Sequence, residues 1–146
     1  MFLTDASLAR IEQCLQAVAE RARWLQGLSE RPAGWSEQPE TRWAAERALH
    51  VGIECVTDAA NELIDALVMR EPGGYVDILR VLMEEGVLKR EWFERFTGAL
   101  NLRQDLVRHY LVLDPRRVEQ AAREYSPMLL EYVEQMQAYI QRERGL

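Results

Sequence analysis

Four residues in the second half of the chain have side chains suited to chemistry on a phosphodiester: Arg103, Arg108, His109 and Tyr110. An arginine can hold a phosphate through paired N–H donors, and a histidine can transfer a proton near neutral pH. Together they suffice for metal-free RNA cleavage by attack of the ribose 2′-OH. The same residues are also compatible with solvated or ion-paired positions on a helix surface, so residue types alone leave both interpretations open.

The charge of the chain restricts nucleic-acid binding to a local patch. The net charge is −6 at pH 7, whereas non-specific affinity for a polyanion comes mostly from lysine and arginine contacts to phosphate. Between Asn101 and Arg117 the sequence has four arginines against two aspartates, a local balance of +2. Any contact with RNA is therefore expected at this patch, and DNA is not an expected partner.

A row of acidic residues follows the apolar stripe of the predicted second helix. Its members recur at steps of four, four and three: Glu54, Asp58, Glu62 and Asp65. Paired carboxylates can bind metal or act as acid and base, but no Glu-x-x-His pattern of the di-iron bundles accompanies them. We expect no metal and no cofactor, and we predict that Glu54 and Asp58 orient Arg103 or Arg108 from the neighbouring helix.

Two further polar features predict structure rather than chemistry. His50 lies one turn before Glu54, but no other residue nearby in the sequence completes a catalytic constellation. We therefore expect a half-buried histidine whose polar atoms are satisfied. The Glu-Pro-Gly-Gly segment at 71–74 lacks the lysine and hydroxyl residue of a phosphate-binding loop, so it predicts a turn.

Five helices are predicted to position these residues. Apolar residues recur at steps of three and four in each of them. The predicted spans are 5–28, 41–70, 75–85, 89–112 and from 114 nearly to the end of the chain. Asp114 and Pro115 are a helix-start signal, and Pro127 is expected to kink the last helix. Long apolar stripes with short connections predict an all-α antiparallel four-helix bundle with one short accessory helix.

The length and composition predict one domain that spans residues 1–146. Cys14 and Cys55 lie on separate helical patterns without metal-type spacing, so we expect buried, reduced thiols, which suits a cytoplasmic protein. The N-terminal residues do not resemble a targeting signal, and no segment has the roughly 18 apolar residues of a membrane span. We therefore expect a cytoplasmic location and no contact with a membrane.

The segment LNLRQDLVRHYLVLD, which ends at Asp114, resembles the signature of the HepT-like branch of the HEPN proteins. In that signature four residues separate an Arg from a His, and one further residue separates the His from a Tyr. Arg103 and Tyr110 match this spacing, whereas Arg108 stands at the position of the family's His and His109 follows it. Gln104 replaces the family's usual Asn. On a continuous helix, a shift of one residue turns a side chain by about 100°.

The resemblance extends over roughly residues 48–114. The stretch ALHVGIECVTDAANELIDALVMREPGGY, followed by ILRVLMEEGVL, is similar to the YutE-type members of this family. The order of helices agrees with a HEPN bundle. The broader HEPN pattern allows four to six residues between Arg and His, and His109 satisfies it with five.

The resemblance implies a function and two partners. Family members are homodimers in which two Arg/His motifs face each other and form one composite RNA-cleaving cleft. Many are toxins neutralised by an MNT-type nucleotidyltransferase antitoxin, which in some pairs adenylylates the motif tyrosine, here Tyr110. The added AMP would place negative charge where the RNA phosphate binds. Without the resemblance, Tyr110 is equally compatible with a packed aromatic whose hydroxyl reaches the surface.

Two functions therefore follow from the sequence. The first is a metal-independent endoribonuclease toxin in which Arg103 positions the phosphate and His109 or Arg108 assists proton transfer or stabilises charge. The second is a catalytically inactive dimeric HEPN module that binds RNA or protein and carries a displaced motif histidine.

Overall fold

The helices of this chain form a bundle, and a computed structural model describes residues 3–145 of it. The elements are α1 (Asp5–Ser29), a 3-10 turn (Trp35–Glu37), α2 (Pro39–Ala66), α3 (Tyr75–Glu84), α4 (Arg90–Arg108) and α5 (Pro115–Glu143). The prediction of an all-α fold with one short extra helix is confirmed. Met1, Phe2 and Leu146, which belong to the predicted domain of residues 1–146, lie outside the described residues.

The first and last helices begin where their capping residues require. The Thr4 hydroxyl accepts a hydrogen bond from the N–H of Ser7 at 3.0 Å, and the Asp114 carboxylate accepts one from the N–H of Arg116 at 2.9 Å. Both bonds satisfy N–H groups that have no partner inside the helix. Pro115 occupies the first turn of α5, where a missing N–H has no cost.

The core lies between α1, α2 and α5, and α4 closes it from the side. The apolar rows predicted from the sequence are buried along each long helix. Tyr132 of α5 is fully buried and donates a hydrogen bond to the carbonyl of Val56 at 2.7 Å. Trp92 of α4 stacks on the Tyr132 ring with a centroid distance of 5.5 Å and donates to the carbonyl of Met128 at 2.9 Å. These bonds fix α4 and α5 against the rest of the bundle.

The predicted end of the second helix is wrong by one turn. It was expected at Arg70, but α2 ends at Ala66 because Val68 adopts a left-handed conformation with φ of 52°. The N–H of Met69 then bonds to the carbonyl of Ile64 at 3.0 Å, which is the closing bond of a Schellman motif. The signal was missed because a β-branched residue rarely occupies this conformation.

The predicted end of the fourth helix is also wrong, and this changes the geometry of the motif. The helix was expected to reach residue 112, but α4 ends at Arg108 and His109 caps it. Leu111 and Val112 continue the apolar pattern in the sequence. Their side chains are nevertheless 89% and 81% exposed, so they do not form the buried face of a helix. They belong to a turn in which the N–H of Val112 bonds to the carbonyl of His109 at 3.1 Å. His109 itself keeps the helical bond from its N–H to the carbonyl of Asp105 at 2.8 Å, so the rotation of about 100° still separates its side chain from that of Arg108.

Candidate functional site

Arg103 lies in the penultimate turn of α4 and is held by side chains of two other helices. Its Nε donates to the carboxylate of Glu54 on α2, with which it forms an ion pair. Its Nη2 donates to the hydroxyl of Tyr75 at 2.8 Å, and its guanidinium carbon lies 3.7 Å from the centre of the Tyr75 ring. The Arg103 side chain is 21% exposed. Three contacts thus fix its orientation while part of the guanidinium remains accessible.

Tyr75 completes this arrangement from the first residue of α3. Its hydroxyl accepts from Arg103 and donates to the second carboxylate oxygen of Glu54 at 3.4 Å. Burial, followed by the nearby charge of Glu54, raises the pKa of the Tyr75 hydroxyl. The hydroxyl therefore keeps its proton near neutral pH and can act as donor and acceptor at once. We call Glu54, Tyr75 and Arg103 the Arg103 cluster.

The acidic residues of the α2 row have different partners. Glu54 contacts Arg103, and His50 is nearby with its Nε2 at 3.7 Å from Glu54 Oε1. Glu62 instead binds Arg10 of α1 at 2.6 Å. Asp58 makes no ion pair among residues 3–145, and partial burial together with the charge of Glu54 raises its pKa. Only Glu54 of the row therefore touches a motif arginine.

His109 is oriented by a different carboxylate. Its Nδ1 lies 2.9 Å from Oδ1 of Asp105, one turn earlier, and the other oxygen of Asp105 accepts from Arg117 on α5. The hydrogen bond from Arg117, followed by that from His109, lowers the pKa of Asp105. An ionised Asp105 can only accept, so in a neutral imidazole Nδ1 carries the hydrogen and Nε2 presents its lone pair. The His109 side chain is 59% exposed, which leaves Nε2 open to a substrate.

The structure brings some of the predicted site residues together along one groove. This arginine groove has a volume of about 550 Å³ and runs between α3 and α4. The polar and aromatic residues that line it include Tyr75, Arg80, Asn101, Arg103, Gln104 and Arg108. His109 and Tyr110 do not line it. Arg108, which stands at the position of the family's histidine, therefore shares a groove with Arg103, while His109 faces Asp105.

Tyr110 borders a second groove on the other side of the helix end. This Trp43 groove has a volume of about 820 Å³ and is lined by residues of α2 and of the turn after α4. Four of its apolar members are largely exposed, namely Trp43, Tyr110, Leu111 and Val112. Apolar side chains that cluster at a surface mark a contact with another molecule more often than scattered ones do.

Two residues of the site could not be found from the sequence. Tyr75 reads as the first residue of an accessory helix, and the only hint is the preceding Gly-Gly turn, which lets the chain place it against α4. Asp105 lies between Arg103 and His109 in the sequence, and it enters the sequence analysis only through the net charge of residues 101–117. An acidic residue four positions before a histidine on a helix is a usable signal, because residues so spaced are neighbours.

In the described range, 3–145, no three His, Cys, Asp or Glu side chains form a set that could hold a metal ion. No helix within the same range is long and apolar enough to cross a membrane.

Comparisons with known proteins agree with this fold. Residues 6–136 match the family described as ribonuclease HepT-like. YutE of Bacillus subtilis (strain 168), provisionally described as an RNase, is 29% identical over 102 residues, which cover 70% of this chain and 71% of that protein. The YutE structure, described as that of a cytosolic protein of unknown function, gives a TM-score of 0.85 at 25% identity. It covers 100% of this chain and 97% of that chain.

Toxins crystallised with antitoxins share the fold. The tri-AMPylated HEPN toxin of Shewanella oneidensis in complex with its MNT antitoxin gives a TM-score of 0.75 at 14% identity, over 93% of this chain and 99% of that one. A mutant of the toxin–antitoxin pair MntA-HpeT gives 0.79 at 12% identity, over 89% and 98%. At these identities the likeness shows the fold alone.

The all-helical bundle and these neighbours define the fold as that of the HEPN proteins. The family match covers most of the chain and narrows this class. The chain belongs to the HepT-like ribonuclease family, a HEPN family related to the toxins of MNT toxin–antitoxin pairs.

Proposed function

We propose that this chain is a metal-independent endoribonuclease toxin that acts as a homodimer in the cytoplasm. The observation that carries the proposal is the position of Arg103. Glu54 and Tyr75 hold it at the edge of a groove that also contains Arg108. An arginine fixed in this way binds a phosphodiester without first losing side-chain freedom. The description of the relative YutE as cytosolic supports the location.

The reaction uses the two ends of the motif. Nε2 of His109 takes the proton of the ribose 2′-OH, and the O2′–P bond forms as the P–O5′ bond breaks. The products are a 2′,3′-cyclic phosphate and a 5′-hydroxyl, whose oxygen takes a proton from water while His109 releases its proton to the solvent. Arg103 and Arg108 stabilise the negative charge that develops on the phosphate oxygens. Asp105 keeps the imidazole in the tautomer that this step needs.

A homodimer would place two such motifs face to face in one cleft. Within one chain His109 does not line the arginine groove, so a composite site in which two copies contribute is chemically more complete. The exposed Leu111 and Val112, next to the motif, support a protein contact at this end of α4. Sedimentation velocity of Leu111→Asp should then show more monomer than the wild type. Val68→Asp, at an exposed valine away from the motif, is the control, and equal effects of both would contradict this interface.

We further propose an MNT-type nucleotidyltransferase antitoxin as partner, with Tyr110 as the modified residue. Tyr110 is 61% exposed, so its hydroxyl can be reached by an enzyme. The Shewanella oneidensis relative is tri-AMPylated and bound to an MNT antitoxin, which supports the pairing. Transfer of AMP from ATP to the hydroxyl, with release of pyrophosphate, would add negative charge two residues from Arg108 in the sequence and weaken the binding of RNA phosphate at this end of α4.

A second candidate function is a dimeric HEPN module that binds RNA or protein without cleaving it. The observation that favours it is the orientation of His109 towards Asp105 and Arg117, with Arg108 in the groove instead. Arginine stays protonated near neutral pH, so Arg108 can bind phosphate but cannot accept a proton from the 2′-OH.

RNA cleavage by the purified protein in the presence of EDTA tests the first function. Arg103→Ala and His109→Ala should each lower the rate by about 100-fold or more. Arg95→Ala, an exposed arginine of α4 outside the groove, should leave it unchanged. Cleavage that persists in both motif variants would exclude this site, and RNA binding without cleavage by the wild type would establish the second function.

A further inference from the structure

The arginine groove carries more positive charge than the motif accounts for. Its lining includes Arg80 of α3 besides Arg103 and Arg108, and its one acidic residue is Asp77. Asp77 is already occupied, because Arg70 donates two hydrogen bonds to it at 2.8 and 2.9 Å. The three arginines of the lining outnumber Asp77 and the Glu54 that pairs with Arg103, so in a chain of net charge −6 this groove is a local site for an anion.

Arg80 is held in place, with donors to spare. Its Nη1 donates to Asp77 at 3.1 Å, and its guanidinium carbon lies 5.6 Å from the centre of the Phe93 ring. The side chain is 45% exposed. A guanidinium has five N–H donors, so one bond to Asp77 leaves most of them available to a ligand.

The contacts of Arg103 determine from which side a phosphate can approach it. Its Nε is occupied by Glu54, and its Nη2 by Tyr75, so α2 and the start of α3 close two of its edges. The groove with Arg108 and Gln104 is the open side. A strand whose phosphate reaches Arg103 therefore continues along the groove in at least one direction.

We infer that the arginine groove holds the sugar–phosphate backbone of the substrate strand beside the cleaved bond, and that Arg80 binds a flanking phosphate. This inference rests on the proposed function, since it assigns the path of the same substrate. Asn101 and Gln104 provide uncharged donors and acceptors along this path. Arg80 contributes to binding of the strand and takes no part in proton transfer.

The test measures binding separately from cleavage. The probe is a short fluorescent 2′-O-methyl RNA, which lacks the attacking hydroxyl and cannot be cleaved. Arg80→Gln should bind it roughly three- to five-fold more weakly, as for one partly exposed ion pair. The dependence of log affinity on log salt should also become shallower by about 0.7. Arg80→Lys should keep the slope, and Arg95→Gln should match the wild type.

The outcomes separate this inference from the function on which it rests. If Arg80→Gln and Arg95→Gln bind alike while Arg103→Ala abolishes cleavage, the groove assignment is wrong and the ribonuclease stands. If the wild type cleaves no RNA but Arg80→Gln lowers the salt slope, the groove assignment stands for a binding module. If poly-glutamate displaces the probe as effectively as unlabelled RNA does, the groove binds any polyanion, and the RNA assignment is overturned.

Discussion

The bundle core and the Arg103 cluster both join helices through polar side chains, but they use different acceptors. In the core, Tyr132 and Trp92 donate to backbone carbonyls at 2.7 and 2.9 Å and are shielded from water. In the cluster, Arg103 binds the side chains of Glu54 and Tyr75 and is partly exposed. A bond to backbone in a dry interior has no competitor, whereas a half-exposed ion pair can share its donors with a substrate. The first arrangement suits stability and the second suits binding.

The largest predicted effect belongs to the core side of this comparison. A methyl group added at Gly98 of α4 would collide with the hydroxyl of Tyr125 on α5. Tyr125 is buried and packs edge-on against Phe96, with ring centroids 5.9 Å apart, so it cannot move freely. Gly98→Ala should therefore lower the free energy of unfolding by about 2 to 3 kcal/mol. Urea denaturation measures this value.

The matched control for Gly98 removes the obstructing atom. In a Tyr125→Phe background the new methyl would lie 3.5 Å from the nearest ring carbon, an ordinary contact. Alanine is a better helix former than glycine, so the same substitution should become neutral or stabilising by up to about 1 kcal/mol. An equal loss in both backgrounds would show that the collision is not the cause.

The second predicted effect belongs to the Arg103 cluster. Tyr75→Ala removes both the ring under the guanidinium and the hydroxyl, so kcat for RNA cleavage should fall about ten-fold through lost positioning of Arg103. Tyr75→Phe keeps the ring and should retain most of the rate. Because Tyr75 is partly exposed, neither variant should move the thermal midpoint by more than a few degrees. A large shift of KM with kcat unchanged would indicate direct contact with RNA instead.

A smaller effect is expected at the end of α2. Val68 holds a left-handed conformation while its side chain is exposed, so the strain is not offset by burial. Val68→Gly should stabilise the fold by about 1 kcal/mol in urea denaturation. Val68→Ala keeps a Cβ at the same φ and should gain little. If alanine stabilises as much as glycine, branching rather than φ is the cause.

The smallest effect concerns the pH dependence of stability. The hydrogen bonds from Arg70, then the N–H of Gly73, lower the pKa of Asp77 below its ordinary value of 3.8. A carboxylate with a lowered pKa in the folded state contributes stability above its unfolded pKa and loses it as pH falls through the folded one. The urea midpoints of wild type and Asp77→Asn should therefore differ most at pH 6, and the difference should shrink below about pH 4 and vanish only as the pH falls through the lowered pKa of the folded state.

The matched control for Asp77 lies in the turn that precedes α3. Glu71 is exposed and makes no ion pair within the described part of the chain. Glu71→Gln should follow the wild type at every pH. A pH-independent difference between wild type and Asp77→Asn would contradict the assignment.

The fold was largely predictable because burial imposes a period on the sequence. The rows Ile11 to Leu25 on α1 and Val118 to Ile140 on α5 follow steps of three and four, and their members are buried. Helix ends were harder. Val68 ends α2 in a conformation that its residue type disfavours, and Leu111 and Val112 imitate a helical pattern that no neighbouring element buries.

The candidate site was predictable only where one segment carries it. Arg103, Arg108 and His109 lie within seven consecutive residues, so a local pattern reveals them. Tyr75 lies 28 residues from the arginine it contacts, and no spacing rule joins the two. Such contacts depend on how helices pack, which a single sequence does not encode locally.

The contacts of Asp105 affect the rate at which His109 can engage a substrate. It binds both His109 and Arg117 and so links the last turn of α4 to the first turns of α5. A surface imidazole otherwise samples several rotamers and loses that freedom when it engages a ligand. With the ring fixed by Asp105, this entropy is lost during folding rather than at each encounter, so a substrate meets a histidine that is already directed outward.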